Sequence, residues 1–282
     1  MPVRFSAVLP AQVRGSEESF LVRSIDLHAL GDLASPIALL DDFRVRGRPF
    51  GPHPHAGFSA VTYVFGDSQG NLRSRDSLGN DAVTGPGGII WTQAASGVIH
   101  EEIPADPGRE LHGLQVFVNL RSNNKLAAPR VFRLAGDEVP VWQGKAGDAV
   151  RVAAGSFENV SSPLVPAEPF TLLDVSLRSQ VSLRVEQSHN TLVYTRTGGV
   201  VIRANGGSRE LRGEQAIAFH GSGSVALTAM EHSQIVVLSG AEIREPVIVS
   251  GPFIMNDTSQ IEAAVARYRS GGMGHLTVLP DR

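Results

Sequence analysis

The sequence predicts an all-β protein of two domains, barrels or sandwiches of short antiparallel strands, with one short helix near its C-terminus. Three observations carry this: recurrent β-rich runs, abundant glycine and proline at turns, and a strand motif echoed half a chain apart. The runs include Phe58 to Phe65, Gly113 to Leu120, Leu172 to Val185, Thr191 to Arg196, Val200 to Arg203, Ser224 to Met230 and Gln234 to Ser239. Thirty glycines and seventeen prolines gather in segments such as GRPFGPHPHAG, GDSQGN, TGPGG and GSGSV, which supply the turns that many short strands need.

The echo pairs VTYVFG, Val61 to Gly66, with LVYTRTG, Leu192 to Gly198, and makes Tyr63 the counterpart of Tyr194. A chain of 282 residues suits two domains, and the loop-rich stretch from Leu120 to Asp148 separates them, giving expected limits of 1–130 and 131–282. The strongest helical pattern comes late. Ile261, Ala264, Val265 and Tyr268 recur at i, i+3, i+4 and i+7, Asp257 and Gln260 have capping-box spacing, and Gly271 marks the stop.

Composition narrows the chemistry. Hydrophobic residues make up 42% and charged residues 19%, a balance that builds a sizeable core. The absence of cysteine excludes disulfides, thiolate metal sites and cysteine nucleophiles, so any metal must sit on nitrogen and oxygen. A formal net charge of −3 without a dense Lys/Arg stretch argues against direct nucleic-acid binding. No succession of 18 uncharged apolar residues and no secretory h-region is seen, so the expectation is a cytoplasmic protein without a membrane span.

Three of nine histidines lie in two compact motifs, His-Pro-His at His53 to His55 and His-Glu-Glu at His100 to Glu102. Side chains at i and i+2 of a strand project to one face, so His53 with His55, and His100 with Glu102, can point together into a barrel. Three neutral imidazoles and a carboxylate leave open positions on an octahedral ion. Taken alone, an HxH on a strand is as readily a satisfied polar pair or a surface coincidence, and a purely structural metal is the other bland reading. The strand patterning, the glycine-rich turns before each motif and the lack of competing thiols favour a metal with open coordination.

At these residues the chain resembles the pirin family of the cupin superfamily. The resemblance runs through HPHAGFSAVTYVFG, PGGIIWTQAASGVIHEEIP, LHGLQVFVNL and EIREPVIVSGPFIMND, with Gly47 six positions before His53 completing the G-x5-H-x-H opening of cupins. It implies two antiparallel cupin β-barrels packed together, a bicupin, with one mononuclear iron in the first. The ligands it implies are His53, His55, His100 and Glu102, with Glu101 merely intervening. The ligand types alone would equally accept Mn, Co, Ni, Cu or Zn. Pirins usually read HPHRGFE, where this chain has Ala56 and Ser59, and often carry histidine near Ser74; these departures touch the surroundings of the ion and its substrate choice.

The second half carries neither motif. Arg184 and Glu186 stand where the echo would put the HxH pair, and His189, His220 and His232 read as structural or surface residues. His28 and His275 lie in terminal segments, and His112 falls at a family position that is structural. The function implied by the resemblance is a metal-dependent dioxygenase opening flavonols such as quercetin with O2, Glu102 taking the 3-hydroxyl proton. Pocket candidates are Phe50, Trp91, Gln115 and Phe117. The alternative is a non-enzymatic regulator whose iron redox state alters binding to a transcription factor or metabolic enzyme.

Overall fold

A computed structural model describes residues 2–280. The chain folds into two compact units, one of residues 1–13, 23–38 and 138–242, the other of residues 14–22, 39–137 and 243–282. The terminal segments therefore do not stay with their sequence neighbours: residues 243–280 pack with the His-Pro-His half.

In that half, a seven-stranded antiparallel sheet is ordered Arg130–Leu134, Ile89–Gln93, Phe58–Val64, Leu111–Asn119, Ile37–Val45, Phe20–Ser24, Gln12–Ser16. A four-stranded sheet, ordered His53–His55, Val98–Pro104, Leu72–Asp76, Asp81–Thr84, forms the other wall. Phe58–Val64 is buried at every position, and its unbroken apolar and Thr/Ser run suits a central strand with both faces covered. Register fixes which residues share a face. Thr62 lies opposite Ile90 on one neighbour and Gln115 on the other, and Ala60 lies opposite Phe117, so Thr62, Gln115, Ala60 and Phe117 look the same way.

The other unit repeats this order. Its larger sheet places Gln215–His220, His189–Thr197, Ser233–Ala241 and Phe170–Leu177 side by side, and its smaller one runs Gln180–Val185, Gly223–Ala229, Gly199–Ala204, Gly207–Arg212. Phe58–Val64 thus corresponds to His189–Thr197, each central with neighbours in matching chain order. Tyr63 and Tyr194 are both buried, as the sequence echo predicts. The fold is that of a bicupin.

Three sequence expectations are corrected. The run Leu172 to Val185 is two strands, because Arg178 and Ser179 turn the chain and their amides donate to Asp148 Oδ1 at 2.7 and 2.8 Å. The stretch read as loop holds a short helix, Ser122–Lys125, and the strands Arg130–Leu134 and Val141–Gln143. Arg184 and Glu186 do not occupy the positions of the HxH pair. On Gln180–Val185 the exposed residues are Gln180, Ser182 and Arg184, while Val181, Leu183 and Val185 point inward, one residue out of register from the echo. They join Val200, Ile202, Val225, Leu227 and Phe219 in an apolar core that fills this unit.

The C-terminal helix spans Thr258–Arg269, with the Asp257 side chain accepting from the Gln260 amide at 2.9 Å and Gln260 Oε1 accepting from the Asn256 amide at 3.0 Å. Gly271, at φ +77°, ends it. Its buried residues Ile261 and Ala264 join Ala56, Ile99, Phe253, Met255 and Met273 in one cluster. Among the described residues no helix is long and apolar enough to cross a membrane.

Candidate metal centre

The strand His53–His55 pairs antiparallel with Val98–Pro104 so that His53 lies opposite His100 and His55 opposite Val98. Period two then brings the imidazoles of His53, His55 and His100 to one face. Their ring centroids form a nearly equilateral triangle of 4.8, 4.7 and 4.7 Å, and one ligand atom from each lies within 4.8 Å of the others. His55 and His100 are buried and His53 is half-exposed, so the triangle opens to its surroundings beside His53.

The electrostatics favour ligation. Burial first, and repulsion from His53 second, lower the His55 pKa to about 3; burial, then His55 and His53, holds His100 well below the usual histidine range. Both rings are neutral at physiological pH, the form that carries a lone pair for a metal. His53 Nδ1 donates to the Gly51 carbonyl at 2.9 Å, which fixes the tautomer with its lone pair on Nε2 and holds the ring as backbone carbonyls hold metal-bound histidines.

Glu102 projects from the same strand and face as His100 but is tied across to the seven-stranded sheet. Its Oε2 is 2.5 Å from Thr62 Oγ1, which is in turn 2.9 Å from Gln115 Oε1, and Gln115 Nε2 donates to the Val61 carbonyl at 3.2 Å. A hydroxyl has one proton and cannot donate to both neighbours. Reversing the Gln115 amide would set its oxygen against the Val61 carbonyl. The chain is therefore satisfied when protonated Glu102 donates to Thr62 and Thr62 donates to Gln115. Burial accords with this, pushing the Glu102 pKa up to about 7 against the opposing Thr62 hydrogen bond.

The donor set fits a transition-metal ion. Buried polar atoms are almost always hydrogen-bonded, yet His100 Nδ1 and Glu102 Oε1 are buried and make no hydrogen bond. Three imidazoles with one carboxyl oxygen at hand supply the nitrogen and oxygen ligands that such an ion accepts.

The same shifts predict how the metal-free protein melts. For His55 the unfolded chain binds more protons between about pH 6.5 and 3, so that contribution is present above 6.5 and lost as pH falls towards 3. For Glu102 the folded chain holds the extra proton between 4.5 and about 7, so its contribution is lost as pH rises through 7. The melting temperature of chelator-treated protein is expected to peak near about pH 6 and to fall on both sides, the acid side steeper, by an amount on the order of a few kcal/mol in stability. A flat profile between pH 4 and 8 by calorimetry would contradict the buried, neutral state of these groups.

Residues 13–118 match the family model described as Pirin, and residues 172–274 that of the Pirin C-terminal cupin domain. Human pirin is 31% identical over 258 residues, covering 89% of this chain and 87% of that protein. The chain belongs to the pirin family. A pirin-like protein of Solanum lycopersicum is 31% identical over 256 residues, with 89% of this chain and 86% of the relative covered. The crystal structure of a quercetin 2,3-dioxygenase from Acinetobacter baumannii is similar with a TM-score of 0.85 and 26% identity, over 98% of this chain and 100% of that one.

Of this pirin's three departures from the usual motif, one faces the site. Ser74 lies directly opposite Glu102 in the register of the four-stranded sheet. Ser59 alternates away from Ala60 and Thr62, and Ala56 is fully buried in the cluster with Phe253 and Met255. The pocket candidates also divide. Phe117 packs against His55, centroids 5.3 Å apart, beside Phe58 at 5.0 Å, a neighbour the sequence reading did not single out. Phe50, 53% exposed, stands 6.5 Å from the His53 ring at the open side. Gln115 bonds Thr62 and Val61 instead of a ligand histidine. Trp91 lies opposite Val61, on the face turned away from Thr62.

Elsewhere, His112 is buried between Asp42 and Asp67, its two ring nitrogens 2.9 and 3.0 Å from their carboxylates. Glu101 faces away from His100 and pairs with Arg75, which also donates to the Thr277 carbonyl at 3.0 Å. Neither takes part in the triangle.

Proposed function

We propose that this pirin is a metal-dependent dioxygenase that opens flavonols such as quercetin with O2. The observation that carries the reading is the triangle of three imidazoles with the unbonded Glu102 oxygen on the same strand face as His100. Its similarity to the Acinetobacter enzyme supports the substrate class. In this reading His53, His55 and His100 hold one ion, with Glu102 as fourth ligand, and iron is preferred by kinship within the family. A bound ion would supply Lewis acidity that makes the flavonol 3-hydroxyl easier to deprotonate.

The chain's own groups do the rest. Glu102, in its deprotonated form, is placed to accept the 3-hydroxyl proton, and the Thr62–Gln115 chain orients its carboxyl. Phe58 and Phe117 form an apolar wall beside His55 that excludes water, and Phe50 offers an aromatic edge to a flat ligand at the open side.

The test is oxygen consumption by iron-loaded protein over a small flavonol panel, with binding read by fluorescence quenching. Quercetin-dependent oxygen uptake, absent from chelator-treated protein, is expected. Absence of both uptake and binding would overturn the enzymatic reading and favour the regulatory one, in which a protein partner distinguishes oxidised from reduced iron.

A further inference from the structure

Lys125, in the short helix Ser122–Lys125, is fully buried at 0% exposure, where lysine is almost never found unless its ammonium is satisfied. Its Nζ donates to the Gly57 carbonyl at 2.8 Å, the Ile254 carbonyl at 2.8 Å and Asn119 Oδ1 at 2.5 Å. An ammonium has three protons, and these three acceptors use them all.

The acceptors come from three segments that meet around one metal ligand. Gly57 is two residues beyond His55. Asn119 is two residues beyond Phe117, whose ring packs on His55. Ile254 belongs to the C-terminal segment, which is stitched to the same backbone: the Ile254 amide donates to the Ala56 carbonyl at 3.0 Å and the Ala56 amide to the Pro252 carbonyl at 3.3 Å. Gly57 sits at φ +85°, and a Cβ there would lie 1.9 Å from the Ile254 carbonyl oxygen, so this approach admits only glycine.

The strand that carries His53 and His55 is three residues long and pairs with a single neighbour, Val98–Pro104. A ladder that short does not by itself fix the angle of its last side chain, and His55 is that residue. We propose that Lys125 is a positioning residue for His55: its ammonium gathers the carbonyls of Gly57 and Ile254 with Asn119 and so sets the direction from which the His55 ring meets the ion. This rests on the metal centre proposed above. A lysine serving only as a fold staple would raise stability without affecting how the ion is held.

The experiment loads the full-length chain with Co(II), whose visible spectrum reports ligand geometry, and compares wild type with Lys125→Met. The variant is expected to keep its far-UV circular dichroism, to bind Co(II) at least about 10-fold more weakly, and to show shifted d–d bands. Asp148→Asn, in the other unit, loses acceptor strength towards the Arg178 and Ser179 amides and serves as the control. It should lower the melting temperature and leave the cobalt spectrum unchanged. Should Lys125→Met not fold, Asn119→Ala removes one acceptor and is expected to shift the bands in the same direction by less. Wild-type affinity and bands in the folded variant, or a change no larger than that of Asp148→Asn, overturns the role of Lys125. Failure of the wild type to bind Co(II) overturns the metal centre itself, and the inference with it.

Discussion

His100→Ala is expected to abolish metal retention while leaving the metal-free protein folded. His100 is 2% exposed and stands 4.7 Å, ring to ring, from each of the other two imidazoles, so its loss removes one corner of the triangle and leaves two imidazoles. Changes to groups that merely orient a ligand cost about 10–100-fold in affinity, and deleting a ligand should exceed the upper end of that range. The cost to the apo fold is smaller. A cavity opens, but a desolvated imidazole whose Nδ1 makes no hydrogen bond also disappears, and these opposing terms leave a net change of about 1–2 kcal/mol. Metal analysis and melting curves separate the two effects. Wild type should be stabilised by added Fe(II) or Co(II), by about 2.7 kcal/mol at a hundredfold excess over the dissociation constant, and the variant not at all. Undiminished metal content in His100→Ala would remove the triangle as the binding site.

What could be read in the residue order was whatever depends on short-range periodicity. The two candidate ligand pairs are visible because strand side chains alternate, so His53 with His55 and His100 with Glu102 needed only to lie in strands. The late helix is visible because its cap, Asp257 with Gln260, and its apolar stripe lie within one segment. The repeat was visible through Tyr63 and Tyr194, since both sit on central strands under the same burial pressure.

The features that were missed depend on partners distant in sequence. Lys125 lies in a polar stretch that reads as loop, and its burial follows from carbonyls 68 and 129 positions away. The tie from Glu102 to Thr62 and Gln115 joins two sheets and follows from their packing. Arg184 illustrates the other failure: a one-residue offset within a strand turns a side chain from the interior to solvent, and an echo of a few identities does not resolve one residue. No local signal shows that residues 243–280 pack with the first half of the chain, because their apolar residues would suit any exposed sheet face.

Glu102→Gln tests the catalytic reading most sharply, because it changes the charge and basicity of the group and almost nothing else. The introduced amide can donate to Thr62 as the protonated carboxyl does, so the chain through Thr62 to Gln115 Oε1 is preserved. Apo stability at neutral pH should therefore stay within about 1 kcal/mol of wild type. The alkaline decline in melting temperature should vanish, since the group that loses a proton near pH 7 is gone. Flavonol turnover is expected to fall by about 10²–10⁴-fold, the usual worth of a positioned general base. Metal content then divides the two roles given to this residue. If Glu102 serves chiefly as proton acceptor, the three histidines retain the ion and only turnover collapses; if it serves chiefly as ligand, occupancy falls together with turnover. Turnover within about threefold of wild type, with metal fully bound, would sink both roles and leave Glu102 as a buried acid that only bridges two sheets.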